Sequence, residues 1–100
     1  MIVIIHARRF DLQDELRYFI ETCLQMLPSG VVKIEALKLS LGEEDSVIKR
    51  KYCAINAEVS GDNYLITQYA NSYEEAVVMS VRELNLKIRK NMRPFSRSTE

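Results

Sequence analysis

Glycine is scarce in this sequence, with three residues in the whole chain, and no Gly-rich run exists from which a phosphate-cradling loop could be built. Histidine occurs once, at His6, with no Cys or His neighbour at ligand spacing, so zinc chemistry has no footing. No Ser or Cys stands in a nucleophile motif. The acidic run Glu43–Asp45 lacks the spacing and the glycine of a calcium loop. No long apolar run is present. The opening "MIVIIH" places five apolar residues before His6, too few for a signal-peptide core or a membrane crossing. The two cysteines, Cys23 and Cys53, lie inside apolar segments at no metal-like spacing and read as buried free thiols of a reducing cytosol. Net charge is absent too: 14 bases balance 14 acids, so no bulk basic field advertises nucleic acid. Together these absences leave no catalytic residue, no metal and no cofactor to expect. The chain reads as a cytoplasmic non-enzyme with no membrane partner.

What is present suffices for one packed domain. Apolar residues make up 47% of the 100 positions, and no low-complexity stretch interrupts them. A single domain is expected over 1–93, with 94–100 as a flexible C-terminal tail behind Pro94.

Hydrophobic periodicity sets out the elements. Residues 2–6, "IVIIH", are continuous and β-branched and predict a short buried strand. Asp11 is placed as an N-cap, with Asp14 and Glu15 in the first turn of a helix over about 11–27. Leu12, Leu16, Phe19, Ile20, Cys23, Leu24 and Leu27 recur along it at helical spacing, and Pro28 and Gly30 stop it. Residues 31–41 alternate as a strand, but the phase switches at Ala36–Leu37, which predicts a bulge or a strand burying opposite faces at its two ends. "GEEDS" is a loop. Residues 48–60 alternate again, with Cys53, Ile55, Ala57 and Val59 inward. "SGDN" predicts a hairpin turn centred on Gly-Asp, leading into a strand over 64–70. Ser72 with Glu75 forms a capping box for the last helix. Its apolar stripe is Tyr73, Val77, Val81, Leu84 and Ile88. The order β-α-β-β-β-α, with a right-handed crossover through the first helix and a meander after it, predicts an α+β fold. It is a two-layer sandwich: a four-stranded mixed sheet with two helices on one face.

The charges are unevenly placed. From residue 82 onward there are Arg82, Lys87, Arg89, Lys90, Arg93 and Arg97 against Glu83 and Glu100. At roughly 100° per residue, Arg82, Arg89 and Arg93 fall within about 40° of one another, roughly 140° from the apolar stripe, with Lys90 further round. Their axial spacing is about 10 Å and then about 6 Å, at which guanidinium forks can address successive phosphates. Bases near a helix C-terminus also complement its dipole, so a solvated face is the competing reading. Tyr52, Tyr64 and Tyr69 are candidates for the open sheet face, as stacking rings or as cross-strand pairs.

The element order, the length, and two stretches resemble the ribosome hibernation promoting factor family, also called ribosome-associated inhibitors or ribosomal subunit interface proteins. "SYEEAVVMSVRELNLKIRK" looks like the family's last-helix pattern, with its S-aromatic-E-E-A start and its I-[KR]-K end, and "FDLQDELRYFIETCLQML" looks like the first helix. The likeness runs over about residues 1–91 and is to the short form. It implies a fold like a double-stranded RNA-binding domain, docked on the small ribosomal subunit. Basic helix residues would grip ribosomal RNA and block translation or promote hibernation, as a response to stress. Arg89 and Lys90 match basic positions of that helix, and Arg93 stands near the basic residues that follow; Arg82 and Lys87 complete the set. The chain departs from the pattern at Asn85 and Leu86, where a basic pair is common, and at Thr22 and Gln25, where lysines are common. On the first helix Arg17 stands alone, with Arg8 and Arg9 just before it as partial compensation. The alternative carried forward is a protein–protein module, a homodimer through its sheet, with solvated charges and no ribosome binding.

Overall fold

The computed structural model describes residues 1–28 and 32–92. The elements are β1 (Ile2–Ala7), α1 (Asp14–Leu24), β2 (Ile34–Glu43), β3 (Lys51–Val59), β4 (Asp62–Ala70) and α2 (Tyr73–Met92). The sheet order is β1-β2-β3-β4, with β1 parallel to β2 and the two later pairs antiparallel. This is the four-stranded mixed sheet and the element order that the sequence predicts. Pro94 and the tail over 94–100 lie outside the described residues.

Strand alternation gives the sheet two unlike faces. Leu37, Leu39 and Leu41 of β2, Cys53, Ile55, Ala57 and Val59 of β3, and Ile66 of β4 point at the helices and are buried. They meet Ile20, Cys23 and Leu24 of α1 and Val77, Val81, Leu84 and Ile88 of α2 in one core. The other face carries Lys38, Asn56, Glu58, Leu65, Thr67 and Tyr69, all exposed. The phase switch in β2 is a bulge: Ile34 pairs with Val59 and Ala36 with Glu58, so Glu35 is the extra residue. One inserted residue turns Ile34 and Leu37 to the same face, which strict alternation forbids.

Several expectations are corrected. β1 is an edge strand and not buried: Ile2 is 66% and Ile4 55% exposed on the open face. A continuous apolar run reads the same whether a strand has two neighbours or one. α1 is capped by Gln13, without a side-chain cap bond, and not by Asp11. Leu12 packs against the core first, and the helix starts after it. It ends at Leu24; Met26 and Leu27 continue as a tighter turn, each donating its N–H to the carbonyl three residues back. The β3–β4 turn centres on Ser60-Gly61, both at positive φ (51° and 88°), the mirror-image turn that matches strand twist. β2 runs on to Glu43 and β3 starts at Lys51, leaving Ile48 in the loop between them, 75% exposed. Tyr64 lies on the helix side of β4, where Asn91 donates to its hydroxyl, and so does not cover the open face.

Candidate nucleic-acid interface

α2 is the longest helix described, 20 residues, and its ends are chemically opposite. Ser72 caps it, its Oγ accepting the Glu75 N–H at 3.1 Å. Glu74 and Glu75 occupy the first turn, Arg89 and Lys90 the last. Both placements complement the helix dipole. The apolar stripe does what its spacing predicts: Val77, Val81, Leu84 and Ile88 are buried, and half-buried Tyr73 stacks on Phe10 with ring centroids 4.8 Å apart. Ala76 and Ser80 are buried beside the stripe, and Ser80 donates to the Cys53 carbonyl at 3.1 Å. This bond ties the middle of α2 to β3, so the orientation of the helix about its own axis is fixed.

That fixed orientation turns Arg82, Leu86, Arg89 and Lys90 into solvent. Among the described residues, no carboxylate lies within ion-pair distance of Arg82, Arg89 or Lys90. Arg89 is steadied by a neutral partner, its Nε donating to Asn85 Oδ1 at 3.1 Å. The bond uses one donor of the guanidinium fork and leaves the charge uncompensated. Lys87 behaves differently: its ammonium sits 3.4 Å from Glu83 one turn back, so its charge is locally spent. Arg93, the next residue of the predicted ridge, lies outside the described residues.

The remaining predicted cations are not gathered on this ridge. Arg8 and Arg9 lie at the opposite end of the molecule, beside the start of α2, around a polar cavity of about 250 Å³ shared with Glu43, Glu44 and Asp45. Arg8 lies near Tyr52, whose hydroxyl favours the charged guanidinium and raises its pKa further. Two of the three bases in the nearby run, Arg50 and Lys51, are paired locally. Arg50 pairs with Glu44 at 2.8 Å, and Lys51 approaches Glu43 at 3.6 Å. The Arg50 hydrogen bond holds the Glu44 carboxyl below its usual range. Arg17 is exposed on the flank of α1 that borders β1, away from α2.

On the open sheet face the described tyrosines are already engaged. Tyr52 and Tyr69 are a cross-strand pair, 6.0 Å between centroids, and the Arg50 guanidinium already lies 4.7 Å over the Tyr69 ring. Sequence reasoning read Leu86, 62% exposed, only as a missing base, and passed over Met79, 37% exposed. At roughly 100° per residue both fall within about 60° of Arg82, so the outer face of α2 alternates cationic and apolar groups. The signal was available in that angular count.

No family model matches the sequence, and no curated protein matches it. Solved structures do match in fold. One is a ribosomal subunit interface protein from Coxiella burnetii, with a TM-score of 0.81 at 14% identity, over 92% of this chain and 98% of that one. Another is the N-terminal domain of Protein Y from Thermus thermophilus, with a TM-score of 0.78 at 16% identity, over 90% and 98% of the two chains. At such identities the likeness is one of fold, and it is the fold that the sequence resemblance implies.

Proposed function

We propose that this chain is a non-enzymatic, cytoplasmic ribosome-associated factor. It docks on the small subunit through the outer face of α2 and there blocks translation or promotes hibernation. The observation that carries the reading is the set Arg82, Arg89 and Lys90: exposed, fixed by the packing of α2, and, among the described residues, facing no carboxylate within ion-pair reach. Sharing a fold with a ribosomal subunit interface protein supports the choice of ribosomal RNA as the polyanion.

The mechanism is binding, without bond chemistry. Guanidinium forks meet phosphate oxygens in charge-assisted pairs, and each contact releases condensed counterions. Arg82 and Arg89 are two turns apart, about 10 Å along the axis, so they reach different phosphates. Arg93 continues the same row in sequence and belongs to the proposed contact set. Leu86 and Met79 between the cations exclude water from the contact. Occupation of the subunit by the domain then excludes RNAs that need the same surface.

Co-sedimentation of the purified chain with purified small subunits tests this. The wild-type chain is expected in the subunit fraction at low salt, and Arg89→Glu with Lys90→Glu is expected at the top of the gradient. Their thermal unfolding should change little, because the two exposed side chains support the fold only through the helix dipole, about 0.3–1 kcal/mol each, and one exposed Arg89–Asn85 hydrogen bond. A wild-type chain that never leaves the top of the gradient would refute the reading.

A further inference from the structure

β1 presents an unprotected sheet edge, and we propose that a second copy of this chain pairs with it antiparallel, joining two sheets into one of eight strands about a two-fold axis at Ile4. The proposal stands apart from ribosome binding and uses a different flank of the molecule.

The backbone supplies the first half of the fit. Arg8 donates its N–H to the Leu41 carbonyl, so in the parallel β1–β2 ladder the even-numbered residues of β1 bond to β2. The peptide groups of Val3 and Ile5 therefore point outward along the free edge. Edges of this kind are usually blunted by lysine, proline or a bulge. "IVIIHA" has none of these. With the axis at Ile4, Val3 of each copy faces Ile5 of the other as a hydrogen-bonded pair, and the two Ile4 side chains meet on the open face. The apolar surface this covers is large for so short a strand: Ile2 is 66%, Ile4 55% and Val3 37% exposed. The centre of the open face, by contrast, carries Lys38, Asn56, Glu58 and Thr67. A second copy docking by the edge buries the isoleucines without desolvating those groups.

Charge complementarity supplies the second half. α1 runs back along β1 and leaves a groove of about 270 Å³ beside the edge, lined by Val3, Ile5, Arg17, Glu21 and Leu24. Arg17 and Glu21 are one turn apart on that flank, both exposed, and neither has an ion-pair partner among the described residues. The groove brings Arg17 and Glu21 beside Val3 and Ile5, the two residues that flank the proposed axis. A two-fold rotation there lays α1 antiparallel to its copy. Arg17 of each chain then meets Glu21 of the other, twice per interface. Two-fold contacts require such a self-complementary patch. The outer face of α2 stays open on both copies.

Sedimentation equilibrium of the full chain tests this between about 1 and about 100 µM, the range in which a standard-sized interface forms and dissociates. The wild-type chain is expected to reach twice its monomer mass. Ile4→Lys, which sets two ammonium groups at the axis, should be monomeric throughout. Arg17→Glu should weaken the dimer about tenfold or more, and Arg17→Glu with Glu21→Arg should restore it to within about threefold of wild type. Rescue by that exchange separates an ion pair between chains from damage within one chain. A monomer at every concentration overturns the proposal, including the case where a strand of another protein fills the edge. A dimer indifferent to Ile4→Lys or Arg17→Glu, or one that the exchange does not rescue, overturns it as well.

Discussion

Gly42 faces Tyr52 across β2 and β3, and a Cβ added there would stand 2.5 Å from the tyrosine hydroxyl oxygen and 2.7 Å from the ring. The ring cannot swing away freely, because Tyr69 packs at its side. Gly42→Ala is therefore expected to cost about 1–3 kcal/mol, the usual range for overpacking, read as a loss in denaturant midpoint. Cys53 makes a second case. Burial pushes its thiol up to about 11, while an unfolded thiol titrates near 9. The unfolded chain thus loses its proton first as pH rises. The stabilising contribution is whole below about pH 9 and is lost through about pH 11, about 3 kcal/mol in all. Denaturation curves at the two pH values should show this fall in the wild-type chain and a smaller one in Cys53→Ala. At this scale the sequence was readable where one residue's neighbours along the chain decide its place. The burial of Cys23 and Cys53 followed from their apolar segments. The buried hydrogen bond of Ser80 did not, since its partner lies 27 residues away on β3.

At the scale of elements, local chemistry and the β2–β3–β4 meander were legible, and the edge position of β1 was not. The start of α2 could be read because a cap and the N–H that donates to it lie within one turn. Ser72→Ala should remove the 3.1 Å bond to the Glu75 N–H and cost about 1 kcal/mol, measurable as a drop in thermal midpoint. The bulge in β2 could be read because it shifts a two-residue period visible in one strand. β1 could not be placed, since the number of strands beside it depends on where β2 and β4 go. Ile2 and Ile4 look alike in a central strand and at an edge. The cationic ridge shows the same division. Helical angle alone aligns Arg82, Arg89 and Arg93, the last outside the described residues, and puts Lys90 further round, whereas Arg8 and Arg9 depend on which loop closes over them. That loop proved to be the acidic Glu43–Asp45.

Across the whole molecule, a net charge of zero conceals a layout. The end at which both helices begin collects Glu43, Glu44, Asp14, Glu15, Glu74 and Glu75, with Arg50 and Lys51 engaged in ion pairs there. The end at which α2 finishes carries Arg89 and Lys90 with no carboxylate in reach among the described residues. Composition reports the sum, and only the fold reports which cations are spent. The account rests on those left over meeting phosphates, and the salt dependence of affinity for purified small ribosomal subunits measures that directly. A plot of log affinity against log salt is expected to fall steeply in the wild-type chain. Arg82→Ala and Arg89→Ala should each lower the slope by about 0.7–0.9, one phosphate contact apiece. Lys87→Ala, whose charge Glu83 already answers, should leave it nearly unchanged. An affinity insensitive to salt, or slopes unmoved by Arg82→Ala and Arg89→Ala, would contradict the account.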